Sequence, residues 1–82
     1  MIELYQHELC GACSRVRRKL TDLGLDWISR TVSPSISKRE RVVELTGQPL
    51  VPVLVDPDNR MVVTESHDIC AYLDEIYGTA TI

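Results

Sequence analysis

Apolar and polar residues alternate over Ile2-Glu3-Leu4-Tyr5-Gln6, the two-residue period of a strand with one well-buried face. The period then lengthens. From Gly11 onward Cys13, Val16, Leu20 and Leu23 recur at intervals of three and four, with Arg15, Arg18, Lys19 and Asp22 on the opposite side. That spacing predicts an amphipathic helix ending near Gly24. Asp26 to Val32 predicts a second strand, given bulk by Trp27, Ile28 and Val32 and broken by Ser33-Pro34-Ser35. Ser37-Lys38-Arg39-Glu40 has the spacing of a capping box, with Ser37 as N-cap; it opens a helix carrying Val42, Val43 and Leu45 and ending at Gly47.

Val51-Pro52-Val53-Leu54-Val55 is a nearly continuous apolar run that suits a strand buried on both faces. Asp56-Pro57-Asp58-Asn59 predicts a turn, and Met61-Val62-Val63-Thr64 returns as the hairpin partner. Ser66 begins a last helix whose Ile69, Leu73 and Ile76 make one stripe, closed by Gly78. Thr79-Ala80-Thr81-Ile82 are too few to order a further element. The order is β-α-β-α-β-β-α. Strands joined through a helix run parallel and hairpin strands antiparallel, so an α/β fold follows: a four-stranded mixed sheet flanked by three helices. With 82 residues and no repeat, linker or low-complexity segment, the chain reads as a single domain over 1–82.

Composition narrows the partners. There is no Phe, one Trp and three Tyr, so the core must be packed from branched aliphatics. The net charge is −3 with both signs mixed along the chain, which offers no electrostatic footprint for nucleic acid. The cluster Arg15, Arg17, Arg18 and Lys19 reads as a solvated face of the first helix with some local influence on the thiols. No stretch approaches membrane-spanning length and no leader pattern follows Met1, so a cytoplasmic protein is expected. Three cysteines, two of them only three positions apart, argue against a secreted disulfide framework and for a working dithiol in a reducing compartment.

That dithiol is Cys10-Gly11-Ala12-Cys13, set where the first strand gives way to the first helix. Backbone N–H groups and the positive end of the helix dipole converge there and favour a thiolate at the first cysteine. Cys10 is therefore the expected nucleophile, and Cys13, inside the helix and more shielded, the residue that resolves a mixed disulfide. Arg15 is expected to be the basic residue closest to the thiols, His7 a weak candidate for stabilising the thiolate, and Cys70 a half-buried packing residue. Tyr5, Tyr72 and Tyr77 are spaced for core or rim packing. His7, Cys10 and Cys13 form an H-x2-C-x2-C cluster, for which zinc would need His67 or Cys70 as a fourth ligand; the usual second pair of ligands is absent, and no metal site is expected.

With this element order, a CxxC after the first strand and Val51-Pro52 before the third, the chain resembles a glutaredoxin of the thioredoxin-like fold over essentially its full length. Val51-Pro52-Val53-Leu54, and Glu65-Ser66 leading to Ile69, Tyr72 and Leu73, resemble the N-terminal domain of glutathione transferases. The resemblance implies a cis bond before Pro52, beside the active cysteine, so that Val51 pairs strand-like with the cysteinyl part of a tripeptide thiol. It also implies that Glu65 and Ser66 hold the γ-glutamyl end, Glu65 facing the ammonium and the Ser66 N–H the carboxylate. Two departures stand out: Leu50 replaces a common Thr, and Gly11-Ala12 replaces a common Pro-Tyr. Gly11 loosens the first helical turn and alters the redox poise, and Ala12 removes an aromatic wall.

The activity implied is thiol–disulfide exchange on protein or mixed disulfides, with glutathione or another low-molecular-weight thiol as reductant. Protein disulfides and small thiols are the partners, without nucleic acid or membrane, and the chain is expected to be a monomer. Two alternatives stay open. One is a [2Fe–2S] carrier in which two chains each give a first cysteine and a glutathione, a comparison that Gly11 permits. The other is the thiol-binding domain of a glutathione transferase-like protein, against which the second cysteine counts.

Overall fold

In the computed structural model, which describes residues 1–78, seven elements follow in the expected order. They are β1 (Ile2–Gln6), α1 (Gly11–Asp22), β2 (Trp27–Thr31), α2 (Glu40–Thr46), β3 (Val53–Asp56), β4 (Met61–Thr64) and α3 (Ser66–Tyr77). The expectation for Thr79–Ile82 lies outside the described residues. The four strands form one sheet in the order β2-β1-β3-β4, with β1 parallel to β2 and antiparallel to β3, and β3 antiparallel to β4. This is the mixed sheet and connectivity of the thioredoxin-like fold.

Alternation along the strands decides what each face buries. Ile2, Leu4 and Leu54 pack against Val16 and Leu20 of α1 and Ile69 and Leu73 of α3 in the main core. Tyr5 and Val53 point to the other face and meet Val42 of α2. A buried Leu, Ile or Val contributes about 1.5–3 kcal/mol relative to exposure, so the larger cluster fixes α1 and α3 on the sheet. Among the described residues no helix is long and apolar enough to cross a membrane.

Three local expectations give way to tertiary contacts. The capping box does not form: Ser37 lies in a short 3-10 turn (Ile36–Lys38), and Arg39 occupies the N-cap position of α2 without a side-chain cap. The reason is the buried Arg39 guanidinium, which donates to the carbonyls of Ser33 (2.9 Å), Pro49 (3.2 Å) and Pro34 (3.4 Å) and ties the two connections flanking α2 together. The third strand runs from Val53 rather than Val51, and Asp56, expected in the turn, closes it in full burial. Ile76 leaves the predicted stripe and is 40% exposed, while Tyr72 and Tyr77 pack against the core instead.

Candidate active site

Cys10 ends the loop after β1 and is the N-cap of α1, in extended conformation. Its Sγ accepts the N–H of Cys13 at 3.2 Å, its own N–H donates to the carbonyl of His7 at 3.2 Å, and its carbonyl accepts from the N–H of Ser14 at 3.1 Å. A 12-residue helix therefore presents its positive end to this sulfur, which is half-buried. Cys13 lies one turn in and is fully buried. Burial, and then the neighbouring Cys10 sulfur, push the Cys13 thiol up to about 12 against the opposing pull of the His7 backbone and the Arg17 cation. One sulfur thus caps a helix at the edge of the fold, and behind it sits a sulfur that keeps its proton at neutral pH.

Beside the dithiol is a pocket of about 170 Å³ lined by Ala12 from the first turn of α1, by Gln48, Leu50, Val51 and Pro52, and by Thr64, Glu65 and Ser66. The Val51–Pro52 peptide bond is cis. Gln48 braces this connection: its Oε1 accepts the Leu50 N–H at 2.6 Å and its Nε2 donates to the Leu50 carbonyl at 3.3 Å. Glu65 has φ 71°, a left-handed conformation that costs a non-glycine residue about 1–3 kcal/mol. That bend turns β4 directly into α3, whose first internal bond runs from the Ile69 N–H to the Glu65 carbonyl at 2.9 Å. The Glu65 side chain makes no capping bond, so the first N–H groups of α3 have no side-chain cap beside a carboxylate. Among the described residues no side chain lining the pocket is cationic.

The structure thus brings Val51, Pro52, Glu65 and Ser66 together in one pocket, with Ala12 of the Cys10–Cys13 turn among its walls. His7 contributes its backbone to Cys10, and its ring Nδ1 is buried without a hydrogen-bond partner among the described residues. Cys70 is half-buried on α3, its Sγ 4.0 Å from the Arg15 carbonyl, and burial raises its thiol. Among the described residues no three His, Cys, Asp or Glu side chains are grouped to hold a metal ion, so the H-x2-C-x2-C spacing does not become a ligand set.

The basic cluster of α1 divides in a way its spacing hides. Arg17 folds back onto β1, donating from Nη1 to Gln6 Oε1 at 2.6 Å, so it is not part of a solvated face. Sequence reasoning missed it, together with Gln6 and Asp56. The available signal was phase: Gln6 continues the buried series Ile2, Leu4, and a polar side chain there needs a partner.

A model of the glutathione S-transferase N-terminal domain matches residues 4–81. The chain belongs to the glutathione S-transferase N-terminal domain family. Among curated proteins none matches it. Among solved structures, a glutathione S-transferase from Rhodospirillum rubrum F11 is 32% identical with a TM-score of 0.84, over 99% of this chain and 36% of that one. A glutathione S-transferase from the Antarctic clam Laternula elliptica is 30% identical with a TM-score of 0.84, over 95% of this chain and 36% of that one. Glutaredoxin 2 from Salmonella typhimurium, solved in complex with glutathione, shares the fold at 23% identity and a TM-score of 0.83, over 95% of this chain and 34% of that one. This glutathione S-transferase N-terminal domain spans about a third of the length of each of these proteins.

Proposed function

We propose that this chain binds glutathione and uses Cys10 for thiol–disulfide exchange, acting as a glutaredoxin-type oxidoreductase domain over 1–82 in a reducing cytoplasm. The observation that carries the proposal is the pair of sulfurs: Cys10 Sγ capping α1 at 3.2 Å from the Cys13 N–H, with a buried Cys13 behind it. The pocket adds the means of holding the thiol. Val51 pairs with the cysteinyl backbone, Glu65 faces the ammonium, and the Ser66 N–H takes the γ-glutamyl carboxylate.

Chemically, the Cys10 sulfur attacks one sulfur of a protein or mixed disulfide; the other departs as a thiolate and takes up a proton. Cys13 then loses its proton and attacks Cys10, closing a Cys10–Cys13 disulfide and releasing the second thiol, or a glutathione molecule attacks the sulfur carried by Cys10 and frees Cys10 directly. Two glutathione molecules restore the dithiol and leave as oxidised glutathione. Both sulfurs come from one turn of one helix, so the cycle needs no second copy of the chain. A [2Fe–2S] role would use Cys10 alone and leave Cys13 without a task, so the buried second thiol favours exchange.

A second reading draws on the family and on the larger size of its members: a thiol-binding domain in which Cys10 steadies the sulfur of bound glutathione for attack on an electrophile. The experiment compares wild type, Cys10→Ser and Cys13→Ser in glutathione-coupled reduction of a mixed disulfide and in conjugation of glutathione to a chlorinated dinitrobenzene. We expect reduction by wild type, retention of glutathione-dependent reduction by Cys13→Ser, and its loss in Cys10→Ser. Conjugation without reduction would overturn the oxidoreductase reading in favour of the second.

A further inference from the structure

Arg17 sits one turn beyond Cys13 and its side chain is only 21% exposed. From there its fork reaches across the β1–α1 loop. Nη1 donates to Gln6 Oε1 at 2.6 Å and, more weakly, to the His7 carbonyl at 3.4 Å, while Nη2 lies 3.7 Å from Glu8 Oε1. Gln6, 2% exposed, passes the tether onward through its Nε2 to Ser29 Oγ on β2 at 2.8 Å and weakly to Glu8 Oε2 at 3.4 Å. The His7 carbonyl that Arg17 reaches is the one that accepts the Cys10 N–H. A planar guanidinium presents donors to several such oxygens from one position.

We propose that Arg17 is the positioning residue of the dithiol: it clamps the Cys10 loop onto α1 and holds a fixed cation behind the Cys10–Cys13 pair, thereby setting the reduction potential of that pair. The electrostatic direction follows from charge. Reduction of a disulfide generates thiol and thiolate, so a cation fixed nearby stabilises the reduced form and makes the couple more oxidising. At Cys13 the Arg17 charge is the smallest of the influences and opposes the burial that raises the thiol. Glu8, on the solvent side and 74% exposed, offsets this only in part because water screens it. The imidazole of His7 is the other titratable group on the loop.

The inference rests on the dithiol reading, and its test needs no enzymatic turnover. Wild type, Arg17→Met and Arg17→Lys are equilibrated in buffers of reduced and oxidised glutathione at pH 7. The oxidised fraction is read by mass after alkylation, and the alkylation rate of Cys10 is followed from pH 5 to 9 on the reduced proteins. We expect Arg17→Met to shift the equilibrium about fivefold toward the disulfide, or about 20 mV at 29.6 mV per tenfold, and to slow Cys10 alkylation severalfold at pH 7. Arg17→Lys, which keeps the charge, should return to within twofold of wild type in potential. Equal potentials in all three, or equal shifts in both variants, would overturn the inference, the second outcome meaning that Arg17 acts through packing alone. If Arg17→Met does not fold, Arg17→Gln takes its place, keeping a hydrogen-bonding side chain without the charge: a potential within twofold of wild type in Arg17→Gln sinks the role of the charge. A wild type that forms no Cys10–Cys13 disulfide refutes the dithiol cycle instead, and the pH profile of Cys10 alkylation then decides on Arg17, an unchanged profile in Arg17→Met counting against it.

Discussion

Replacing Asp56 with Asn should cost about 3 kcal/mol at pH 7, and the cost should shrink in acid. Asp56 is fully buried at the end of β3, and its Oδ2 accepts from Tyr77 OH (2.6 Å), Tyr72 OH (2.7 Å) and Asn59 Nδ2 (2.9 Å). Its Oδ1 is buried without a hydrogen-bond partner among the described residues. Burial alone would raise this carboxyl, yet the hydrogen bonds from Tyr77, Asn59 and Tyr72, aided by the Asp58 backbone, outweigh it and hold the group below its usual value. A hydrogen bond to a charged acceptor contributes about 1.5–3 kcal/mol and a neutral one about 0.5–1.5, so neutralising an acceptor of three bonds removes about 3 kcal/mol. The amide that replaces Oδ1 or Oδ2 also brings donors among donors. A domain of this size has a total stability of roughly 4–12 kcal/mol, so the loss is large.

The sign with pH is fixed by the direction of the shift. A carboxyl held low when folded binds fewer protons than in the unfolded chain, so its contribution is fully present above the unfolded value of about 4 and is lost as pH falls through the folded value. Urea titrations followed through Trp27, the sole tryptophan, at pH 7, 5, 4 and 3 read this directly. The gap between wild type and Asp56→Asn should be widest at pH 7 and narrow progressively below about pH 4, where the unfolded chain takes up a proton before the native carboxylate does. A gap below about 0.5 kcal/mol at pH 7, or one unchanged between pH 7 and 3, would refute the reasoning, because the hydrogen bonds would then not be charge-assisted.

Stability should also fall at alkaline pH. Tyr77 is pushed up to about 12 by its bond to Asp56 and by burial, Tyr72 is raised by burial and by the same carboxylate, and Cys13 is raised to about 12, so stability that is intact below pH 9 is lost as pH rises from 9 toward 12; urea midpoints equal at pH 8 and pH 11 would contradict this. At the pocket, the absence of a cationic wall predicts that S-methylglutathione and its glycyl ethyl ester bind within about threefold of each other, whereas blocking the γ-glutamyl carboxylate weakens binding by about tenfold, a typical loss for a charge-assisted hydrogen bond. Calorimetry separates the two ends, and a tenfold loss on esterifying the glycyl end would show that a cation reaches the ligand from outside the pocket lining.

Much of this architecture was legible from periodicity and punctuation. The alternation of Ile2 to Gln6, the helical spacing of Cys13, Val16 and Leu20, and the glycines at Gly24 and Gly47, both with positive φ, carry local information that packing then confirms. What the sequence did not disclose is where polar groups find partners far along the chain. Ser37 looks like a cap until Arg39 reaches Pro49, ten residues on. Asp56 looks like a turn residue until tyrosines 16 and 21 positions later close over it. Arg17 looks solvated until Gln6, 11 residues back, proves to be buried and in need of a donor. Buried polar groups must be satisfied wherever a partner exists, and such pairings leave no period to read.

The convergence of the site, by contrast, follows from strand direction alone. Tyr5, Val53 and Thr64 lie side by side across β1, β3 and β4. Because β3 runs against both neighbours, the chain leaves β1 toward Cys10, enters β3 from Pro52 and leaves β4 through Glu65, all at one edge of the sheet. The two longest helices, α1 and α3, begin at that edge, so two helix N-termini and the cis-proline connection meet without any residue having to reach across the fold. The opposite edge carries the Asp56 cluster, and α3 joins the two: Ser66 stands at its start and Tyr77 at its end, about 16 Å apart at 1.5 Å per residue. The pocket and the anchoring cluster therefore lie at opposite ends of one helix. A change at Asp56 should be felt first as lost stability, whereas a change at Glu65 or Ser66 should be felt as lost affinity with the fold intact.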